Sequence, residues 1–211
     1  MTGLDSAAAA GWIRRAAELV SADVERLTRL DAAIGDGDHG HNLDRGFTAA
    51  VAALPEPGTA TPGRTLIAAG RAIVSKTGGA SGPLYGTALR RAGKAFGDAG
   101  EVDAGTLGAA LRAALDGVQE LGQAAEGDKT IVDALAPAAA AYGTALEGGG
   151  DLVTCVQAAV AAAEKGAEAT VPMQARKGRA SYLGARSAGH LDPGAASTVV
   201  ILRALADTVN K

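Results

Sequence analysis

Trp12, Ala16, Leu19, Val20, Val24 and Leu27 recur at steps of three and four residues, which predicts an amphipathic helix over residues 6–29. A second, shorter helix is expected from Leu43 to Ala53, ended by "PEPG", and a third over 63–76. "SGPLYGTALRRAGKAF" predicts a fourth, with Ser81 as its cap and Pro83 in the first turn, where a missing N–H costs least. Segments near 104–121, 130–147 and 151–168 supply three more. In the last, "DPGAASTVVILRALADTV", the run Ser197–Leu202 reads alone as a buried strand. The Asp192–Pro193 opening and the continuation "RALADTV" favour a helix instead.

Strand alternation occurs nowhere over a useful length, so the expected fold is all-α: one domain over residues 1–211, with eight helices joined mostly by short connections and hence antiparallel to their neighbours. "EGGG" at 147–150 is a turn. The long connection is Ala169–Leu191, and long loops in compact domains are usually functional. Apolar residues make up 47 % of the chain but aromatics only 3 %, so the core has to form by close approach of alanine-rich helices. A net charge of −3 argues against nucleic acid or an anionic membrane as a main partner. No apolar run approaches the ~20 residues of a membrane span, and the N-terminus lacks a signal-peptide layout. The single Cys155, read as a small core residue, excludes an internal disulfide and fits a reducing compartment. A cytoplasmic location is the resulting expectation.

Glycine is unevenly placed. It gathers in "GDGDHG" (35–40), "GGASGPLYG" (78–86), "EGDKT" (126–130) and "GRASYLGARSAGHLDPG" (178–194). These are alternate connections of an up-and-down bundle, so all four fall at one end and point to a composite site. Glycine lets backbone N–H groups approach a ligand, and helix starts at Ser81 and Asp192 offer positive dipole ends to anionic oxygens. Arg179 adds a planar fork for phosphate. Asp31, Asp36 and Asp38 repel phosphate unless cations lie between, and Mg²⁺ prefers carboxylates, water and phosphate oxygens. Three carboxylates this close suggest two ions clamping a nucleotide diphosphate or triphosphate.

Other readings are weaker. A solvated acidic loop is the plain alternative for the aspartates, though their spacing amid glycines counts against it. An EF-hand would require glycine where His41 stands. His39 and His41 lack the cysteine partners of a common zinc site. A phosphohistidine role for His39 or His190 needs little local pattern and stays open. "GRAIVSKT" (70–77) misses the Walker A glycine, because Ser75 precedes the lysine, and it has no preceding strand. Trp12 and Tyr142 read as packing residues.

"IGDGDHGHN", "GGASGPLYG", "GDKT" and "GRASYLGARSAGHLDPGAAS", in this order, resemble the nucleotide-binding L subunit of dihydroxyacetone kinases over roughly Leu4 to Asn210. The resemblance implies an eight-helix α-barrel holding ADP or ATP at one end. It implies two Mg²⁺ ions on Asp31, Asp36 and Asp38, and nucleotide contacts from His39, Gly40, His41, Asn42, Ala80, Ser81, Arg179, Asp192, Pro193 and Gly194. Gly122 and Ile131 would flank the adenine. His41 stands where threonine is common in the family, and Ile131 where methionine is common. The implied partners are a K subunit that holds dihydroxyacetone and an M-type phosphohistidine donor. Other members carry a fused K domain and use free ATP, and some also act on transcriptional regulators. No catalytic base is assigned to this chain.

Overall fold

The computed structural model describes residues 3–210. Its helices are α1 (Ser6–Ala22), α2 (Val24–Ile34), α3 (His39–Ala52), α4 (Pro62–Lys76), α5 (Ser81–Phe96), α6 (Ala104–Gly122), α7 (Val132–Glu147), α8 (Leu152–Ala169) and α9 (Pro193–Val209). A 3₁₀ segment, Arg179–Ser187, interrupts the connection from α8 to α9. The packing order α1–α3–α4–α5–α6–α7–α8–α9 returns to α1 and closes a ring of eight helices. α2 stands outside that ring, against α3, α9 and the 3₁₀ segment.

The expected first helix is therefore two. Its break falls at Asp23, whose carboxylate accepts hydrogen bonds from Arg26 and whose own N–H reaches the carbonyls of both Leu19 and Val20. The apolar spacing runs through the break because both halves bury one face, Val20 before it and Leu27 after it. The second helix also starts earlier than its apolar pattern, at His39 within the glycine cluster. Two short strands escape the sequence pattern: β1 (Leu4–Asp5) and β2 (Glu101–Val102) pair antiparallel, too short to show alternation.

α9 is buried on nearly every side, which explains why its sequence lacks a clear polar face and its centre mimics a strand. α4 and α5 meet backbone to backbone: a methyl group on Gly86 would sit 2.6 Å from the Gly70 carbonyl oxygen. Small residues thus replace aromatic volume at this contact. Trp12 and Tyr142 pack between helices and satisfy their polar ends on the carbonyls of Ile201 (3.0 Å) and Ala104 (2.8 Å). Cys155 is fully buried. Among the described residues no helix is long and apolar enough to cross a membrane.

Candidate functional site

The four glycine clusters meet. A cavity of about 260 Å³ at one end of the barrel is lined by Asp36, Asp38 and His39 from the first, with Asp31 just before it on α2, and by Gly79, Ala80 and Ser81 from the second. The third contributes Lys129 and Thr130, followed by Ile131, and the fourth gives Gly178, Arg179, Ala180, Asp192, Pro193 and Gly194. Ile34, Leu84, Val118 and Ala124 add apolar wall beside Gly122.

Helix capping distinguishes the two ends. α1, α4, α6 and α8 start away from the cavity, and each is closed by a side chain: Asp5, Thr61, Asp103 and Asp151 accept from amides of their first turns. α3, α5 and α7 start beside the cavity with no side-chain cap. Ser81, expected to cap α5, is its first helical residue and turns its hydroxyl to His39 instead. Asp31 takes the first amide of α3 (His39) and Thr130 Oγ1 that of α7 (Val132), while the start of α5 has no such partner among the described residues and suits an anion. α9 differs, because the Asp192 carboxylate accepts from the Ala195 N–H at 2.7 Å.

The aspartates form a tight group: Asp31, Asp36 and Asp38 each offer one oxygen, all within 4.8 Å of one another. Asp31, buried on α2, is oriented by the backbone. One of its carboxylate oxygens accepts from the N–H groups of Asp38 (2.9 Å) and His39 (3.2 Å). The chain doubles back here through Gly37 at a positive φ, a conformation that favours glycine. Asp36 bonds to the Arg179 guanidinium, while Asp38 faces solvent. Three hard oxygen donors in this space fit a divalent cation such as Mg²⁺, and a zinc centre would call for nitrogen or sulfur.

His39 is buried against α5 and α9. Its Nδ1 lies 3.1 Å from Ser81 Oγ and its Nε2 2.8 Å from Ser197 Oγ. Tyr85 extends the network, its hydroxyl 2.7 Å from Ser197 Oγ and 2.9 Å from Thr198 Oγ1. Desolvation lowers the His39 pKa, with Asp31 and Asp38 pulling the other way. Both ring nitrogens are engaged, which leaves neither free to carry a phosphoryl group. His41, two positions further along α3, is exposed.

Gly40, His41 and Asn42 are not brought to the cavity wall. Once α3 starts at His39, the following residues rotate away: Gly40 lies against the backbone of α2, and Asn42 packs on Gly78 and bonds Arg45. Sequence reasoning missed Lys129, Thr130, Asp133 and Lys177. The Asp133 carboxylate accepts the amides of Gly127 and Thr130 and so shapes the loop before α7. The "GDKT" stretch marked that loop without giving its lysine a role.

The DAK2 domain family matches residues 33–207 of this chain. The chain belongs to the DAK2 domain family. Within it, the chain is 41 % identical over 195 residues to the ADP-binding subunit DhaL of the PEP-dependent dihydroxyacetone kinase of Escherichia coli, covering 92 % of this chain and 93 % of that one. It is 38 % identical to a D-erythrulose kinase of Mycolicibacterium smegmatis, where it covers 97 % of this chain but 36 % of the relative. The solved dihydroxyacetone kinase of C. freundii in complex with AMP-PNP and Mg²⁺ superposes with a TM-score of 0.69 at 27 % identity, over 95 % of this chain and 34 % of that one. A DAK2 domain thus occurs both as a chain of about this length and as about a third of longer kinases.

Proposed function

We propose that this chain is the ADP-binding subunit of a dihydroxyacetone kinase, in which the bound nucleotide relays a phosphoryl group from a phosphohistidine donor protein to dihydroxyacetone held on a separate K-type subunit. The observation that carries this reading is the trio Asp31, Asp36 and Asp38 sharing one cavity with the uncapped start of α5: cation ligands on one side and anion-binding amides on the other. Correspondence along almost the full length of a stand-alone ADP-binding subunit supports the separate-subunit arrangement.

Phosphoryl transfer asks for alignment and charge neutralisation more than for a covalent protein group. Asp31, Asp36 and Asp38 would hold two Mg²⁺ ions, which supply the positive charge that lets carboxylates and phosphates share the cavity. The open amides at the start of α5, beside Ala80 and Ser81, would receive phosphate oxygens. With nucleotide bound, Arg179 would leave Asp36 and offer its exposed guanidinium to a phosphate oxygen. Gly122 and Ile131 border the apolar side, where Leu84 and Val118 suit a purine face. His39, Asp192, Pro193 and Gly194 form the floor. Gly40, His41 and Asn42 act from behind it by fixing the start of α3. The base and the group that holds the ketone reside on the partner.

Reconstitution tests this reading. Mg²⁺–ADP should stay with the chain through gel filtration, and dihydroxyacetone phosphate should form only when phosphorylated donor, this chain and the K-type partner are combined. Calorimetry showing no binding of Mg²⁺–ADP, or ketone phosphorylation by the chain with ATP alone, would overturn it.

A further inference from the structure

Lys129 is 1 % exposed, yet no carboxylate pairs with it at salt-bridge distance among the described residues. Its ammonium donates instead to two backbone carbonyls, those of Thr170 (2.7 Å) and His190. Thr170 closes α8 and His190 stands three positions before α9, so one side chain joins the two ends of the excursion that carries Arg179. Other bonds converge on the same base. Gly189 N–H donates to Val171 O (2.7 Å), and Asp192 N–H to Thr170 Oγ1 (3.0 Å). Arg176 N–H donates to the carbonyl of Asp128, the residue before the lysine (3.1 Å). A buried ammonium is costly and lowers its own pKa, and Lys129 also holds a positive φ of 62° that non-glycine residues rarely adopt. Two such costs at one residue call for a return that an apolar side chain would not give.

We propose that Lys129 is a positioning residue of the nucleotide site: a clasp on the 171–190 loop that fixes the distance of Arg179 from Asp36. A cation at the carbonyl end of α8 is favoured by the helix dipole, and the same ammonium holds the returning strand of the loop. The proposal rests on the nucleotide reading above only where binding is measured. The loop offers its own reporter, because Arg176, Lys177, Arg179 and Arg186 are tryptic sites within it.

Lys129→Met, Arg179→Ala and the double variant are compared with the wild-type chain by brief native trypsin digestion and by calorimetry with Mg²⁺–ADP and Mg²⁺–AMP. With helical content unchanged, K129M should be cut within 176–186 at least about tenfold faster and bind Mg²⁺–ADP about tenfold more weakly. Affinity for AMP, which has no β-phosphate, should change little, and the double variant should bind no worse than R179A. Unchanged loop cleavage, or effects that multiply in the double variant, would overturn the clasp. Should K129M not fold, hydrogen exchange on the wild type decides: the amides of Gly189 and Asp192 are expected to be as protected as the end of α8, and exchange as fast as 178–186 refutes the proposal. A wild-type chain that binds no Mg²⁺–ADP would sink the nucleotide reading, while the cleavage comparison would still read the clasp.

Discussion

Arg179 Nε donates to Asp36 Oδ2 at 2.7 Å, so the guanidinium of the long loop compensates one of the three clustered carboxylates. The arginine side chain is 70 % exposed, which limits the strength of the pair to about 1 kcal/mol. A contact that weak is readily exchanged. If Asp36 takes a cation and Arg179 takes phosphate, the same two residues change partners on loading. Arg179→Ala should therefore act oppositely on two ligands. Binding of Mg²⁺ alone should hold or strengthen by up to about fivefold, matching the lost competitor. Binding of Mg²⁺–ADP should weaken, because a charge-assisted hydrogen bond to phosphate is gone. Calorimetry with each ligand separates the two, and a parallel loss of both would show that Arg179 serves only to hold the loop.

The aspartates are expected to be dispensable for folding and necessary for nucleotide. Asp36 and Asp38 are solvent-facing, and neither caps a helix by its side chain. Asp36→Ala or Asp38→Ala should abolish tight Mg²⁺-dependent ADP binding while leaving far-UV dichroism unchanged. EDTA on the wild type should reproduce the loss. Asp31→Ala differs: its carboxylate orients the amides of Asp38 and His39, so this variant should also lose thermal stability, by about 1–3 kcal/mol for the amides left without an acceptor.

Much of this architecture was legible before any coordinates. The helix start at Asp192–Pro193 carries local capping chemistry, and the observed α9 begins there. The convergence of four glycine clusters followed from counting alternate connections. What escaped has physical causes. The break at Asp23 lies inside an unbroken apolar rhythm, with Val20 and Leu27 buried on either side of it. The turning of Asn42 away from the cavity depends on where α3 starts, and that start is held by Asp31 from α2 rather than by a cap adjacent in sequence. Lys129 reads in sequence as one more polar loop residue; only the fold brings the carbonyls of Thr170 and His190 to it, 41 and 61 positions along the chain.

The crossing of α4 and α5 gives a stability prediction independent of any ligand. Gly70 and Gly86 let the two backbones touch, and a methyl on Gly86 would also meet the Val74 side chain. Gly86→Ala should push the helices apart at a cost of about 1–3 kcal/mol, read as a lower midpoint in urea with an unchanged slope. Gly127→Ala tests the opposite case. A methyl there finds open space, so its cost comes from the positive φ of 90° alone and should be about 1 kcal/mol. Equal penalties at the two sites would argue that the helix contact is looser than described.

Asp192 links the site to pH. Burial pushes its carboxyl up to about 7, against the hydrogen bond from Ala195 and the nearby Lys129 ammonium, which favour the charged form. Below about pH 4 the group is protonated whether the chain is folded or not, and contributes no pH dependence. Between about 4 and 7 the unfolded chain releases the proton and the folded chain keeps it, so folding loses stability as pH rises. The loss is complete above 7 and is on the order of 4 kcal/mol at most. Asp192→Asn keeps a side-chain oxygen to cap α9 and removes this titration. The thermal midpoint of D192N minus that of the wild type, measured without nucleotide or metal, should therefore grow as pH is raised from 4 to 7 and then level off. A difference that stays flat across that range would show that Asp192 ionises in the folded chain as readily as in the unfolded one.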